Sequence, residues 1–150
     1  MFGVPGGGSS LDLIAAGGRI GLPFILTATE TAAAIAALAQ SEITQTAGAC
    51  VVGLGPGVAS AVNGVACAWL ERAPVVVITD AHPASAGAAP HQRLDHRALL
   101  APVTKWSAAV TRENAEAVAH EAIARRGNSQ PVGGAPGARD VDLQSKGRPF

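Results

Sequence analysis

Residues 48–80 read GACVVGLGPGVASAVNGVACAWLERAPVVVITD, and this stretch decides the fold. The apolar run at 48–54 ends in glycines, which is typical of a strand that passes into a turn. A helix rich in small residues is predicted at 58–71. Residues 74–80 form a continuous β-branched run, as in strands that are covered on both faces. Strand, turn, helix and strand in this order predict an α/β domain with a parallel sheet and helices on both faces.

The flanking sequence continues the same alternation of elements. Helices are predicted at residues 11–16, 29–40 and 113–126, and strands at 23–27 and 103–110. Ser9 or Ser10 is expected to cap the first of these helices, and Thr27 or Thr29 the second, because their hydroxyl oxygens can accept from free helix N–H groups.

Three loops follow strands and form the candidate binding edge, at residues 28–30, 55–57 and 80–82. Ligands of parallel sheets bind at the carboxyl ends of the strands, which is where these loops meet. The middle loop, GLGPG, resembles a dinucleotide-binding turn in part, but Val58 occupies its third glycine position. A tight strand-to-helix turn and a loop whose backbone approaches a ligand are both compatible with it.

The composition excludes several classes of protein. A chain of 150 residues with 48% hydrophobic and 15% charged residues has enough apolar surface for one core, so a disordered chain is excluded. The 11 basic residues equal the 11 acidic ones in number, which leaves no excess positive charge for a nucleic acid or an anionic membrane surface. Two cysteines do not make a disulfide framework.

The uncharged stretch at residues 43–70 raises the question of a membrane span. GLGPG would break a helix in the middle of that stretch, so a soluble strand, turn and helix are predicted instead. The first ten residues contain no basic region and no long apolar run, so no secretory signal is predicted and the expected location is the cytoplasm.

Glu30 stands directly after a predicted strand, at the start of an almost purely apolar helix. One interpretation is structural, because an acidic residue in a first helical turn stabilises the helix dipole by about 0.3–1 kcal/mol. The other interpretation is functional, since a carboxyl group at the binding edge can share a proton with a ligand nitrogen.

The segment HQRLDH places His91, Asp95 and His96 close together. These residue types bind metals, but no further cluster of histidine or acidic residues accompanies them. A polar loop is therefore the favoured interpretation, and no metal-binding residue is predicted.

Four segments occur in an order that is specific as a set, although each one alone is not. They are FGVPGG at 2–7, PFILTATETAAAIAALA at 23–39, GLGPGVASAVNGVACAWLERAPVVVITD at 53–80 and HQRLDHRALLAPVTKWSAAV at 91–110. Together they resemble the pyrimidine-binding N-terminal domain of thiamine diphosphate-dependent enzymes of the acetolactate synthase and benzoylformate decarboxylase type. The resemblance covers about residues 2–126.

The resemblance implies a cofactor and a set of site residues. The cofactor is thiamine diphosphate, and Glu30 matches the catalytic glutamate that bonds the ring nitrogen of the aminopyrimidine and favours its imino tautomer. Gly55, Pro56 and Gly57 match a turn that lies near the cofactor, and Gln92 matches a glutamine that faces the active site. The implied reaction is decarboxylation of a 2-oxo acid substrate.

The resemblance also implies partners. In the family a separate domain with a Gly-Asp-Gly motif holds the diphosphate and its Mg²⁺, and the active site lies where it meets the pyrimidine domain of another chain. The expected partners are therefore a diphosphate-binding domain or subunit and, in the complete enzyme, a homo-oligomer, with Mg²⁺ bound only through the absent domain. Two alternatives are the pyrimidine subunit of a two-subunit decarboxylase and an inert truncated remnant.

Three positions depart from the family pattern, with Thr29 for a histidine, Ser60 for an asparagine and Arg93 for an acidic residue. The substrate is therefore predicted only as a class.

The domain is expected to span residues 1–126 and to lack the family's first helix and strand. Residues 127–150, rich in glycine, proline and arginine, are expected to form a disordered or non-native tail that begins at a frame slip.

Overall fold

The computed structural model describes residues 1–82 and 90–127, in which strands and helices alternate. The elements are β1 (Phe2–Val4), α1 (Ser9–Arg19), β2 (Ile25–Leu26), α2 (Glu30–Thr44), β3 (Gly48–Val52), α3 (Pro56–Leu70), β4 (Val75–Thr79), α4 (His96–Leu100) and α5 (Ala115–Ala124), with 3-10 helices at Ala101–Val103 and Arg125–Gly127. The four strands pair in parallel in the order β2-β1-β3-β4. The predicted parallel α/β sheet is confirmed.

The core lies between the sheet and the helix pair α2 and α3. It consists of small side chains, namely Ala33, Ala34, Ala37, Cys50, Val52, Val58, Ala61 and Val65. Small residues let the two helices approach closely: a Cβ atom added to Gly64 of α3 would lie 2.6 Å from the Cβ of Ala34. Val51 alternates with its neighbours along β3 and is buried on the opposite face of the sheet.

One strand was missed and one predicted strand is wrong. β1 lies between β2 and β3 in the sheet, although its three residues offer too short an apolar run to be identified from the sequence. No strand forms at 103–110. That segment instead docks the last helix, because the ammonium of Lys105 donates to the carbonyl of Arg125 and the Arg125 guanidinium lies 5.4 Å from the Trp106 ring centroid.

The predicted helix caps have mixed outcomes. Thr29 caps α2 as expected, with its hydroxyl oxygen accepting from the Ala32 N–H at 3.1 Å. The cap predicted at Ser9 or Ser10 is wrong, since α1 begins at Ser9 after an N-cap at Gly8 and no side chain caps it. The serine hydroxyls instead donate to Asp80, at the end of β4.

β4 is less covered than its sequence suggests. Within the described residues it pairs only with β3, and all five of its residues are half-buried, because an edge strand has one neighbour.

In the part of the chain that is described, no helix is long and apolar enough to cross a membrane. From residue 128 onward, the predicted tail lies outside the described residues.

Candidate functional site

An open cleft of about 550 Å³ lies at the carboxyl edge of the sheet. Its walls come from the loop after β1, the start of α2, the turn between β3 and α3, and the segment before α4. The lining residues are Pro5, Gly6, Gly7, Glu30, Gly53, Leu54, Pro56, Gly57, Ser60 and Gln92. Four of the five residues that the sequence predicts for the site line this cleft, and the fifth, Gly55, lies in the same turn behind them.

Glu30 is held at the cleft by the start of α2. It is the first residue of the helix, and the Thr29 cap beside it fixes the direction in which the helix begins. The side chain is half-buried and reaches α3, so that its Oε1 lies 3.2 Å from the position that a Cβ atom of Gly57 would occupy. A carboxyl group is thus presented to the cleft at the positive end of a helix dipole.

The Gly55-Pro56-Gly57 turn forms the opposite wall. Gly55 has φ 60° and ψ −108°, a conformation open to glycine alone, and its N–H is directed away from the cleft. Pro56 begins α3 at a position where its missing N–H has no cost. Because Gly57 lacks a side chain, the Glu30 carboxyl stays uncovered on this side.

Gln92 completes the cleft from the segment before α4. Its backbone is left-handed, with φ 59°, and its carbonyl oxygen would lie 2.1 Å from a Cβ atom on Gly55. This contact requires glycine at position 55. Three polar residues, Glu30 of α2, Ser60 of α3 and Gln92 before α4, therefore line the same cleft.

Asp80 holds the loop after β1 in place through hydrogen bonds to the start of α1, a role that sequence analysis missed. It is only 6% exposed, and its carboxylate accepts from the Ser9 hydroxyl, the Ser10 hydroxyl and the Ser10 N–H at 2.8–2.9 Å. Burial acts to raise the pKa of Asp80, but these hydrogen bonds and one from the Gly8 N–H outweigh it and hold the pKa below its ordinary value. The carboxylate thereby anchors the glycine loop after β1.

His96 is the second residue whose role was missed. Its Nε2 accepts a hydrogen bond from the Gly55 N–H at 2.8 Å, behind the turn that lines the cleft. Asp95 caps α4 by accepting from the Ala98 N–H. Among the described residues, no group of three or more histidine, cysteine or acidic side chains could hold a metal ion. Gly55 and His96 are 41 residues apart in the sequence, and no local motif links them, so the sequence alone could not reveal this hydrogen bond.

Comparisons with known proteins show which family the sequence matches. The model of the thiamine pyrophosphate enzyme family, N-terminal TPP binding domain, matches residues 1–99. The acetolactate synthase large subunit of Lactococcus lactis is 34% identical over 137 residues, which cover 88% of this chain and 24% of that protein.

Two further relatives are similar over a shorter stretch. The probable acetolactate synthase large subunit of Methanocaldococcus jannaschii is 37% identical over 106 residues, 70% of this chain and 18% of that protein. The probable 2-ketoarginine decarboxylase of Pseudomonas aeruginosa is 32% identical over 112 residues, 72% of this chain and 20% of that protein. The chain thus spans a quarter or less of the length of these relatives.

Proposed function

Because the chain belongs to the thiamine pyrophosphate enzyme family, as an N-terminal TPP-binding domain, we propose that its cleft binds the aminopyrimidine end of thiamine diphosphate through Glu30. The observation that carries the proposal is the position of the Glu30 carboxyl, which faces the cleft at the start of α2 and is left uncovered by Gly57. A helix dipole alone would be satisfied by an acidic side chain turned to solvent.

The residues of the cleft fit such a ring. Gly6, Gly7 and Gly57 contribute no side chains to the walls and Leu54 adds an apolar residue, which leaves room for a planar heterocycle. Glu30 offers an oxygen that can hydrogen-bond a ring nitrogen, and Gln92 offers an amide that both donates and accepts. A Cβ atom on Gly57 would fill the space beside the carboxyl, so glycine there keeps it accessible.

Each of these residues has a defined chemical role in the proposal. Thiamine diphosphate, when bound, supplies the carbon nucleophile and electron sink for breaking or forming a bond next to the carbonyl of a 2-oxo acid. Glu30 holds and shares a proton at its carboxyl oxygen, as a general acid-base group does. The Gly55-Pro56-Gly57 turn and Gln92 bind and orient the ring.

The domain end that we propose at residue 126 is supported by the end of α5 at Ala124.

The whole enzyme requires more than this domain. We propose that a diphosphate-binding domain or subunit supplies the Mg²⁺ site, that the complete enzyme is a homo-oligomer, and that its substrate is a 2-oxo acid. Relatives named acetolactate synthase and 2-ketoarginine decarboxylase support that substrate class. A neighbouring gene for a diphosphate domain would favour the two-subunit decarboxylase instead, and failure to bind the cofactor with any such subunit would favour an inert remnant.

The proposal is tested by titrating the ¹⁵N-labelled chain with thiamine diphosphate and MgCl₂, followed by NMR. We expect a dissociation constant no tighter than about 1 mM, near −4 kcal/mol, because the diphosphate contacts belong to another domain. The amide shifts should change around Glu30, Gly57 and Gln92. Loss of one charge-assisted hydrogen bond in Glu30→Gln should weaken binding on the order of tenfold or more.

Glu42→Gln is the matched control, since Glu42 lies exposed near the other end of α2 and should leave binding unchanged. Equal affinity of Glu30→Gln and the unaltered chain would refute the role of Glu30. A micromolar dissociation constant would show that the chain holds a diphosphate site of its own.

A further inference from the structure

His96 contacts the wall of the cleft from behind. Its Nε2 lies 2.8 Å from the backbone nitrogen of Gly55, the residue before Pro56 and Gly57, which line the cleft. A backbone N–H can only donate, so the imidazole nitrogen must accept. His96 is therefore neutral in this arrangement, with its proton on Nδ1.

The turn is fixed at Gly55 from two sides. The carbonyl oxygen of Gln92 would lie 2.1 Å from a Cβ atom on Gly55, and the His96 ring takes the Gly55 N–H. Gln92 lies in the segment that leads into α4, and His96 is the first residue of α4. The hydrogen bond to His96 fixes the direction of the Gly55 N–H, and the close approach of the Gln92 backbone leaves no space for a side chain at position 55.

A second histidine, His82 after β4, contacts the segment before α4 and provides a contrast. The Nε2 of His82 lies 2.8 Å from the carbonyl oxygen of His91. A carbonyl oxygen only accepts, so His82 donates, and both its neutral and its protonated forms can do so. Protonation therefore preserves the bond made by His82 and abolishes the bond made by His96.

We propose that His96 is a positioning residue that holds the Gly55-Pro56-Gly57 turn in place while its imidazole is neutral and releases the turn when it is protonated. A protonated His96 would direct an N–H and a positive charge at the start of α3, where the helix dipole is already positive. The hydrogen bond itself requires no cofactor, and only its consequence for thiamine diphosphate rests on the proposed function.

The groups around His96 set the pH range of the release. Burial is the main cause that lowers the pKa of His96, the charge of His82 lowers it further, and Asp95 acts in the opposite direction. Among the described residues, α3 and the turn at Ala101–Val103 pack against α4, and neither of them contains an acidic or basic side chain, while α4 itself carries Arg97. The contact is thus fully present above the ordinary histidine pKa of about 6.5 and is lost as the pH falls through the lower pKa of the folded state.

The test follows the Gly55 amide and the His96 ring by NMR in the ¹⁵N-labelled full chain between pH 8 and pH 5. We expect the Gly55 amide shift to change with the same midpoint as the His96 ring. In His96→Ala, the Gly55 N–H should exchange with solvent roughly tenfold faster at pH 8, the scale of one lost hydrogen bond.

His96→Gln is the conservative variant, because its amide oxygen can accept from the Gly55 N–H at every pH. It should restore slow exchange and remove the pH dependence, which a merely space-filling role for His96 would not produce. His120→Gln is the matched control, since His120 is an exposed histidine of α5 and its replacement should leave the Gly55 titration intact.

A Gly55 amide that does not respond while His96 titrates would overturn the proposal, as would a His96→Gln variant that keeps the pH dependence. Should His96→Ala fail to fold, the comparison between the unaltered chain and His96→Gln still decides the question. None of these measurements contains a ligand, so failure of the chain to bind thiamine diphosphate would not affect them.

Discussion

Gly55 and Gly57 flank Pro56, yet alanine at the two positions should have opposite consequences. At Gly55 the φ and ψ angles of 60° and −108° cost a residue with a Cβ atom about 1–3 kcal/mol. The added Cβ would lie 2.1 Å from the Gln92 carbonyl oxygen, and relief of such overpacking costs about 1–3 kcal/mol more. The expected loss of roughly 2–6 kcal/mol is a large part of the stability of a domain.

At Gly57 the same change should be nearly neutral for folding. The residue lies in the first turn of α3, where alanine is preferred to glycine by up to about 1 kcal/mol. The added Cβ would lie 3.2 Å from Oε1 of Glu30, the end of a flexible side chain that can shift by a few tenths of an ångström. The free energy of unfolding should change by less than about 1 kcal/mol. The methyl group would, however, cover the Glu30 carboxyl.

Urea denaturation followed by far-UV circular dichroism measures the first effect, and the NMR titration with thiamine diphosphate measures the second. Gly55→Ala should show a clearly lower midpoint, whereas Gly57→Ala should fold normally and lose ligand binding. Equal destabilisation by both substitutions would refute the backbone argument at Gly55. Normal binding by Gly57→Ala would refute the argument that glycine keeps the carboxyl accessible.

Two further predictions concern buried polar groups. Hydrogen bonds outweigh the opposing effect of burial and hold the pKa of Asp80 below its ordinary value, so this carboxylate adds stability above about pH 4 that is lost as the pH falls through its folded-state pKa. An acid titration of Asp80→Asn should therefore show a shallower loss of stability than the unaltered chain, and an equally steep loss would contradict this. Burial raises the pKa of the Cys50 thiol to about 12, so this thiol should be unreactive in the folded chain. A thiol reagent at pH 8 should modify only the half-exposed Cys67 in the folded chain, and both cysteines in urea. Rapid modification of a folded Cys67→Ser variant would contradict this.

The elements that the sequence predicts well are those with long, uniform apolar runs. α2 and α3 are Ala-rich and begin at a threonine cap and at a Gly-Pro turn. β4 is a β-branched run of five residues, and β3 is a short apolar run that ends in two valines. β1 was missed because three residues give no periodicity, and its stability comes from pairing with β2 and β3 on either side. The strand predicted at 103–110 is wrong because docking of Lys105 and Trp106 on the end of α5 takes precedence over local propensity.

The cleft shows the same division between local and distant contacts. Glu30, Pro56 and Gly57 could be predicted because each sits at a junction between a strand and a helix that the local sequence marks. Asp80 and His96 could not, since their partners lie 70 and 41 residues away along the chain. Which serine a buried aspartate will meet depends on the order of strands in the sheet, and local patterns do not encode that order.

These distant contacts indicate how the cleft is made rigid. Two of the wall loops follow a strand and are fastened by a side chain from another part of the fold, the β1 loop by Asp80 after β4 and the β3 turn by His96 of α4. Glycines, which have little conformational preference of their own, make up much of both loops, so these side-chain contacts restrict the loops further. The position of Glu30 relative to its opposite walls is therefore set only once the whole sheet has formed. Substitutions at Asp80 or His96 should consequently alter ligand binding at Glu30 although neither residue lines the cleft.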